Sequence, residues 1–159
     1  MIRSAAPRML SEFTERPLLL PNLASEFRDS AILELSRHLE RGLCIRDATK
    51  FTHAVLDHES FGSAVVGDVA FPFGRGLEVR RLSFALGVSG CGVRWGTERL
   101  PAVHVIVLIA APNLEDQGYA PLVTTISNFL NDEAALLRLR QCAQAQDIWN
   151  VLNDVPCLR

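Results

Sequence analysis

Few side chains in this sequence are equipped for chemistry, and their spacing limits what each could do. Four histidines, His38, His53, His58 and His104, offer imidazole lone pairs. His38 and His53 fall within helical patterns with no companion at ligand spacing, so they read as surface groups. His104 interrupts a continuous apolar run and reads as a hydrogen-bonded core histidine. His58 precedes Glu59 near a helix end, where a partly exposed position is expected. The four cysteines, Cys44, Cys91, Cys142 and Cys157, are far apart. No C-x-x-C pair or matching histidine cluster supplies the close ligand spacing of a zinc site. They read as isolated buried thiols in a reducing cytoplasm, and neither a metal nor a cofactor is expected. No nucleophile elbow, P-loop or dinucleotide-binding glycine motif is found.

The most shaped stretch is Gly67-Asp-Val-Ala-Phe-Pro-Phe-Gly-Arg-Gly76. Pro72 fixes its own φ and biases Phe71 toward extended geometry. Gly74 and Gly76 admit backbone shapes closed to other residues. The stretch reads as a strand end running into a loop, the kind of place where a rigid scaffold carries function. Its chemistry is sparse: Arg75 is its only base, Asp68 its only acid, and it has no His, Cys, Ser or Lys.

Composition sets the frame. The chain has 159 residues, 48% hydrophobic and 21% charged, with a net charge of −2. That size and balance predict one globular domain over 1–159, with residues 1–8 mobile. A net negative charge argues against a nucleic-acid surface. Arg3 and Arg8 are not followed by the apolar stretch of about 7–15 residues that a secretory leader needs. The longest apolar run, Val103 to Pro112, falls well short of the about 20 residues of a membrane span. A cytoplasmic protein without membrane insertion is expected.

The elements follow in order. Pro17-Leu-Leu-Leu-Pro21 is unsuited to a helix and suits an edge strand or docked arm. Ser25 to Arg41 is helical, with Ile32, Leu35, Leu39 and Leu43 at helical spacing and Gly42 as the stop. Asp47 caps a second helix to about Asp57, with Phe51, Ala54 and Val55 inward. Val65-Val66 and Val69-Ala70-Phe71 read as short strands. Val79 to Val88 reads as another, with Leu82, Phe84 and Leu86 inward. Gly87, Gly90, Gly92 and Gly96 mark turns. Val103 to Ala111 is a central strand covered on both faces. Helices then start near Gly118–Pro121 (Leu122, Ile126, Phe129 and Leu130 inward), at Asn131-Asp132 (Leu136, Leu137 and Leu139 inward) and at about Gln144 (Ile148, Val151 and Leu152 inward). Trp95 and Trp149 read as packing residues. The class is α/β, a mixed sheet flanked by helices on both faces.

Asp57-His-Glu-Ser-Phe-Gly-Ser63, Ala70-Phe-Pro-Phe-Gly-Arg75, Gly92-Val-Arg-Trp-Gly96 and Val103 to Pro112 occur in a meaningful order, followed by a helical tail to Trp149. Together they resemble the enzyme IIA domain of the bacterial sugar phosphotransferase system, of the fructose, mannitol and nitrogen-regulatory type. The likeness runs over roughly residues 9–155. It implies the enzyme IIA-like sandwich, and a loop whose histidine accepts a phosphoryl group from a phosphocarrier protein. Phe73 stands at that position, and a phenyl ring has no nucleophilic lone pair. Tyr119 stands where the family has a second histidine, and His58 where it has the arginine of an R-E pair, with Glu59 following. Ser63 and Arg75 match the family.

The resemblance therefore implies no catalytic residue at the usual place. The positions left to form a pocket or interaction surface are His58, Glu59, Ser63, Phe73, Arg75 and Tyr119. The first reading is a non-catalytic regulatory module docking another protein, either a regulatory target or a phosphotransferase component; a homodimer is left open. A second is a phosphocarrier using His58. A third is a small-anion sensor in which Arg75 and loop amides hold the anion, with Arg75 otherwise a solvated arginine or paired to Glu78 or Glu59.

Overall fold

A computed structural model describes residues 8–62, 65–96, 102–113 and 118–157. The expectations placed on residues 1–7 and on Ser63 lie outside the described residues.

The sheet forms around β6 (Val103–Pro112), whose apolar run has one row of side chains for each face. Ile106, Leu108 and Ala110 enter one core, and Val105, Val107 and Ile109 enter the other. β5 (Ser83–Val93) runs antiparallel along one side of β6, and β1 (Leu19–Leu20) adds to β5 in parallel as an edge strand. On the other side of β6, β3 (Val69–Ala70) and β4 (Phe73–Gly76) pair with it in succession, both parallel. β2 (Val65–Val66) closes that edge antiparallel to β3. Pro72 separates β3 from β4 because it has no N–H to give the ladder, although its carbonyl still accepts from the Ile109 N–H at 3.0 Å.

Helices cover both faces. α1 (Arg28–Arg41) and α2 (Ala48–Ser60) bury Ile32, Leu35, Leu39, Phe51 and Val55 in one core. α3 (Tyr119–Leu130), α4 (Glu133–Arg140) and α5 (Ala145–Leu152) bury Leu122, Ile126, Leu139, Ile148 and Leu152 in the other. Asp47 and Asp132 cap α2 and α4 by accepting from the Lys50 and Ala134 N–H groups. The expected mixed sheet with helices on both faces is the observed one.

Several local expectations change. A three-residue 3-10 turn, Arg16–Leu18, holds Pro17 in its first turn, where the missing N–H is harmless. α1 begins at Arg28 rather than Ser25. The left-handed residue after it is Leu43, with φ 61°, and not Gly42. Leu43 therefore points to solvent, 65% exposed, instead of joining the core. α2 extends to Ser60, three residues past the expected end, which places His58 and Glu59 in its last turn. Ala54 on α2, Phe129 and Val151 are half-buried, as is Leu136; on α4 Leu137 is exposed and Ala135 takes the inner place.

The largest difference lies in β5, which starts at Ser83, leaves Val79 outside and runs through Gly87, Gly90 and Gly92 where turns were expected. β4 is a strand as well, where a loop was expected. Cys44 and Cys157 are buried, but Cys91 is exposed and Cys142 half-buried.

Candidate functional site

Three elements meet where β4 ends against α2 and α3. Strand alternation puts Phe73 and Arg75 on one face of β4 and turns Gly74 to the other. On that other face a Cβ at Gly74 would lie 2.5 Å from Phe51 Cε1 and 2.9 Å from Val55 Cγ2. Only a residue without Cβ lets α2 lie this close to β4. The close approach brings the last turn of α2, with His58, beside Phe73.

The side chains form a short stack. The His58 and Phe73 rings are 4.5 Å apart between centroids and inclined by 32°. Phe73 and Tyr119 are 6.2 Å apart at 51°, within the range of edge-tilted aromatic pairs. The Arg75 guanidinium carbon sits 4.6 Å from the centroid of the Tyr119 ring, a cation–π contact. Burial raises the Tyr119 pKa above its ordinary value, and the Arg75 charge partly offsets that. Arg75 is exposed and makes no ion pair with Glu59 or Glu78 among the described residues; of its two alternatives to anion binding the solvated arginine holds, resting on the tyrosine ring.

Glu59 turns away from this stack. It is 6% exposed and accepts a hydrogen bond from Trp95 Nε1 at 3.1 Å. Trp95 is buried as expected, whereas Trp149 is half-buried under the Arg16 guanidinium. The structure thus brings His58, Phe73, Arg75 and Tyr119 together and assigns Glu59 to the core. His53 is exposed, while His38 is half-buried with Nδ1 3.1 Å from the Pro17 carbonyl oxygen. His104 is half-buried rather than a satisfied core histidine. Its Nδ1 lies 3.6 Å from Asp68 Oδ2, too long for a hydrogen bond, and Arg140 Nη1 reaches the same oxygen at 3.3 Å.

Chemically, the stack is an amphipathic patch. Phe73 and Tyr119 give it aromatic surface, Arg75 a cation, and His58 an exposed imidazole. Nearby, Phe61 ends α2 with 92% of its surface exposed, and Leu77, just after β4, is 77% exposed. Sequence reasoning missed these two because neither belongs to a periodic pattern; the only available signal was a large apolar residue beside glycine.

A mixed sheet between a two-helix and a three-helix layer is the architecture of the enzyme IIA class. Residues 12–155 match the family described as phosphoenolpyruvate-dependent sugar phosphotransferase system, EIIA 2, and the chain belongs to that family. It is 29% identical over 109 residues to the mannitol-specific EIICBA component of Klebsiella pneumoniae, a match covering 65% of this chain and 16% of that protein. The nitrogen regulatory protein IIA-Ntr of Neisseria meningitidis superimposes with a TM-score of 0.81 at 15% identity, over 90% of this chain and 98% of that one. The Escherichia coli enzyme IIA for mannitol, in its complex with phosphorylated enzyme IIB, gives 0.72 at 21% identity, over 86% and 94%. At these identities the structural likenesses establish the fold.

Proposed function

We propose that this chain is an EIIA type 2 domain that does not accept a phosphoryl group at the family's place and instead acts as a regulatory, protein-docking module. The observation that carries this reading is Phe73. The resemblance puts the phosphoacceptor there, and the ring lies between His58 and Tyr119 with no nitrogen to attack phosphorus. Phosphoryl transfer also calls for aligned donors and cations around the transferring group. The Arg75 cation rests on the Tyr119 ring instead.

The same patch favours a protein partner. Aromatics that reach the surface beside an arginine are the anchors that protein interfaces use most, and here Phe61 is exposed while Phe73 and Tyr119 are half-buried. Phe61, Phe73, Tyr119 and Arg75 supply them around His58. The mannitol enzyme IIA to which the fold is similar is known in complex with a phosphorylated enzyme IIB, which supports a protein partner for this fold. On this reading residues 1–159 form one domain acting in the cytoplasm, with Glu59 accepting from Trp95 in the core.

A second reading rests on the 4.5 Å contact between His58 and Phe73, which leaves an exposed imidazole at the mouth of the family site. One experiment separates the two. The protein is incubated with phosphoenolpyruvate, enzyme I and the phosphocarrier protein, and its intact mass is measured. An unchanged mass is expected. A stoichiometric phosphoryl adduct that disappears in His58→Ala would establish the second reading and end the first.

A further inference from the structure

A cavity of about 490 Å³ opens between the N-terminal segment and the turn leading into β5. That volume suits a small molecule. None of His58, Phe73, Arg75 and Tyr119 lines it, so it is separate from the docking patch.

Its walls are chemically divided. Phe13 and Leu18, both buried, and half-buried Leu82 make an apolar side. Arg8, Arg80 and Arg81 line its polar side together with Glu12 and Glu15. Both carboxylates are engaged: Glu12 accepts from the Met9 N–H, and Glu15 accepts from Arg81 Nη2 at 2.8 Å. Arg8 lies over the Phe13 ring, 4.1 Å from its centroid. The Arg80 side chain has no hydrogen bond or ion pair among the described residues. Thr14 lines the cavity too, at 7% exposure, and its Oγ1 is buried without a partner.

We propose that this cavity binds a small organic anion, a phosphate or carboxylate head on an apolar body, with Arg80 taking the head and Phe13, Leu18 and Leu82 covering the body. A guanidinium meets such a head with two parallel N–H donors, and it is the lining cation with no competing partner. Thr14 Oγ1 has no bond to lose, so turning about χ1 toward a ligand oxygen breaks nothing. The Ser83 hydroxyl donates to the Arg81 carbonyl at 3.1 Å and can still accept from a protonated head.

The test is a titration of the full chain with phenyl phosphate, benzoate and inorganic phosphate, followed in ¹H–¹⁵N spectra. Saturable shifts of the Thr14, Arg80 and Ser83 amides are expected with phenyl phosphate or benzoate at millimolar concentration, and the better ligand of the two names the head group. Arg80→Gln should weaken that binding about 10-fold, the loss of one charge-assisted contact. Arg75→Gln, on the docking patch, should leave it unchanged, so this result stands apart from the fate of the proposed docking function. The proposal fails if neither organic anion gives saturable shifts, if the shifts are confined to β4, or if Arg80→Gln binds as well as the parent. Inorganic phosphate binding as tightly as phenyl phosphate would equally overturn the apolar half of the site.

Discussion

The His58 imidazole rests against the Phe73 ring with centroids 4.5 Å apart and planes inclined by 32°. Phe73 is half-buried and packs on the α3–α5 core, whereas His58 is exposed. The two residues should therefore differ in what their loss does. Phe73→Ala should destabilise the fold by about 1–2 kcal/mol, part of the loss for a fully buried phenylalanine. His58→Ala should change stability by less than about 0.5 kcal/mol. Urea unfolding of both single variants and the double variant should return a coupling of about 0.5–1 kcal/mol. Additive effects would mean that the rings merely sit side by side.

Tyr119 is the only tyrosine in the chain, so tyrosinate absorbance reports it alone. Burial disfavours its anion and Arg75 favours it, with burial the larger influence. The folded pKa thus lies above the unfolded one, and in the window between them the native state holds the proton that the unfolded state releases. Stability should fall as pH rises through that window. The titration midpoint should lie above the ordinary tyrosine value and move higher still in Arg75→Gln. A midpoint that drops in this variant would show that Arg75 does not act on the phenol.

Some of this architecture is legible in the chain and some is not, for physical reasons. β6 announces itself because a strand covered on both faces must be apolar at every position. α1 does so through Ile32, Leu35 and Leu39. β5 hides because its glycines resemble turns, yet a Cβ at Gly87 would meet Leu23 Cδ1 at 2.5 Å. That glycine is required by a contact some 60 positions away in sequence, which no local pattern records. β4 hides for a related reason: Phe-Gly-Arg-Gly has little strand propensity, and its pairing comes from Ile109 to Pro112 of β6. In the candidate site, His58, Phe73, Arg75 and Tyr119 could be gathered through the family resemblance. The inward turn of Glu59 could not, since its partner Trp95 is 36 positions away.

That buried pair gives a prediction of its own. Trp95 Nε1 donates to Glu59 Oε2 at 3.1 Å, with Trp95 only 1% exposed. Glu59→Ala leaves the indole N–H without an acceptor, a loss of about 1–3 kcal/mol. Glu59→Gln keeps a carbonyl oxygen at the same reach and should retain most of the stability. Unfolding followed by tryptophan fluorescence distinguishes the two variants. Equal losses in both would show that the charge, rather than the acceptor, matters there.

Gly74 sets the distance between the two elements that carry His58 and Phe73. An alanine there would place its methyl 2.5 Å from Phe51 Cε1 and 2.9 Å from both Phe51 Cζ and Val55 Cγ2. Phe51 and Val55 are buried and cannot swing into solvent. Close-packed cores accommodate an added methyl by shifting backbone, so α2 and β4 must separate. Gly74→Ala should lose about 1–3 kcal/mol in urea unfolding. It should also weaken the ring-current shift that Phe73 imposes on the His58 ring protons. Gly76 is the control on the same strand, because a Cβ there would meet nothing within 4 Å. Gly76→Ala should be neutral or stabilising by up to about 1 kcal/mol, by narrowing the unfolded ensemble. If Gly74→Ala proves as stable as Gly76→Ala and keeps the His58 shifts of the parent, then α2 is not held at its distance by the missing side chain.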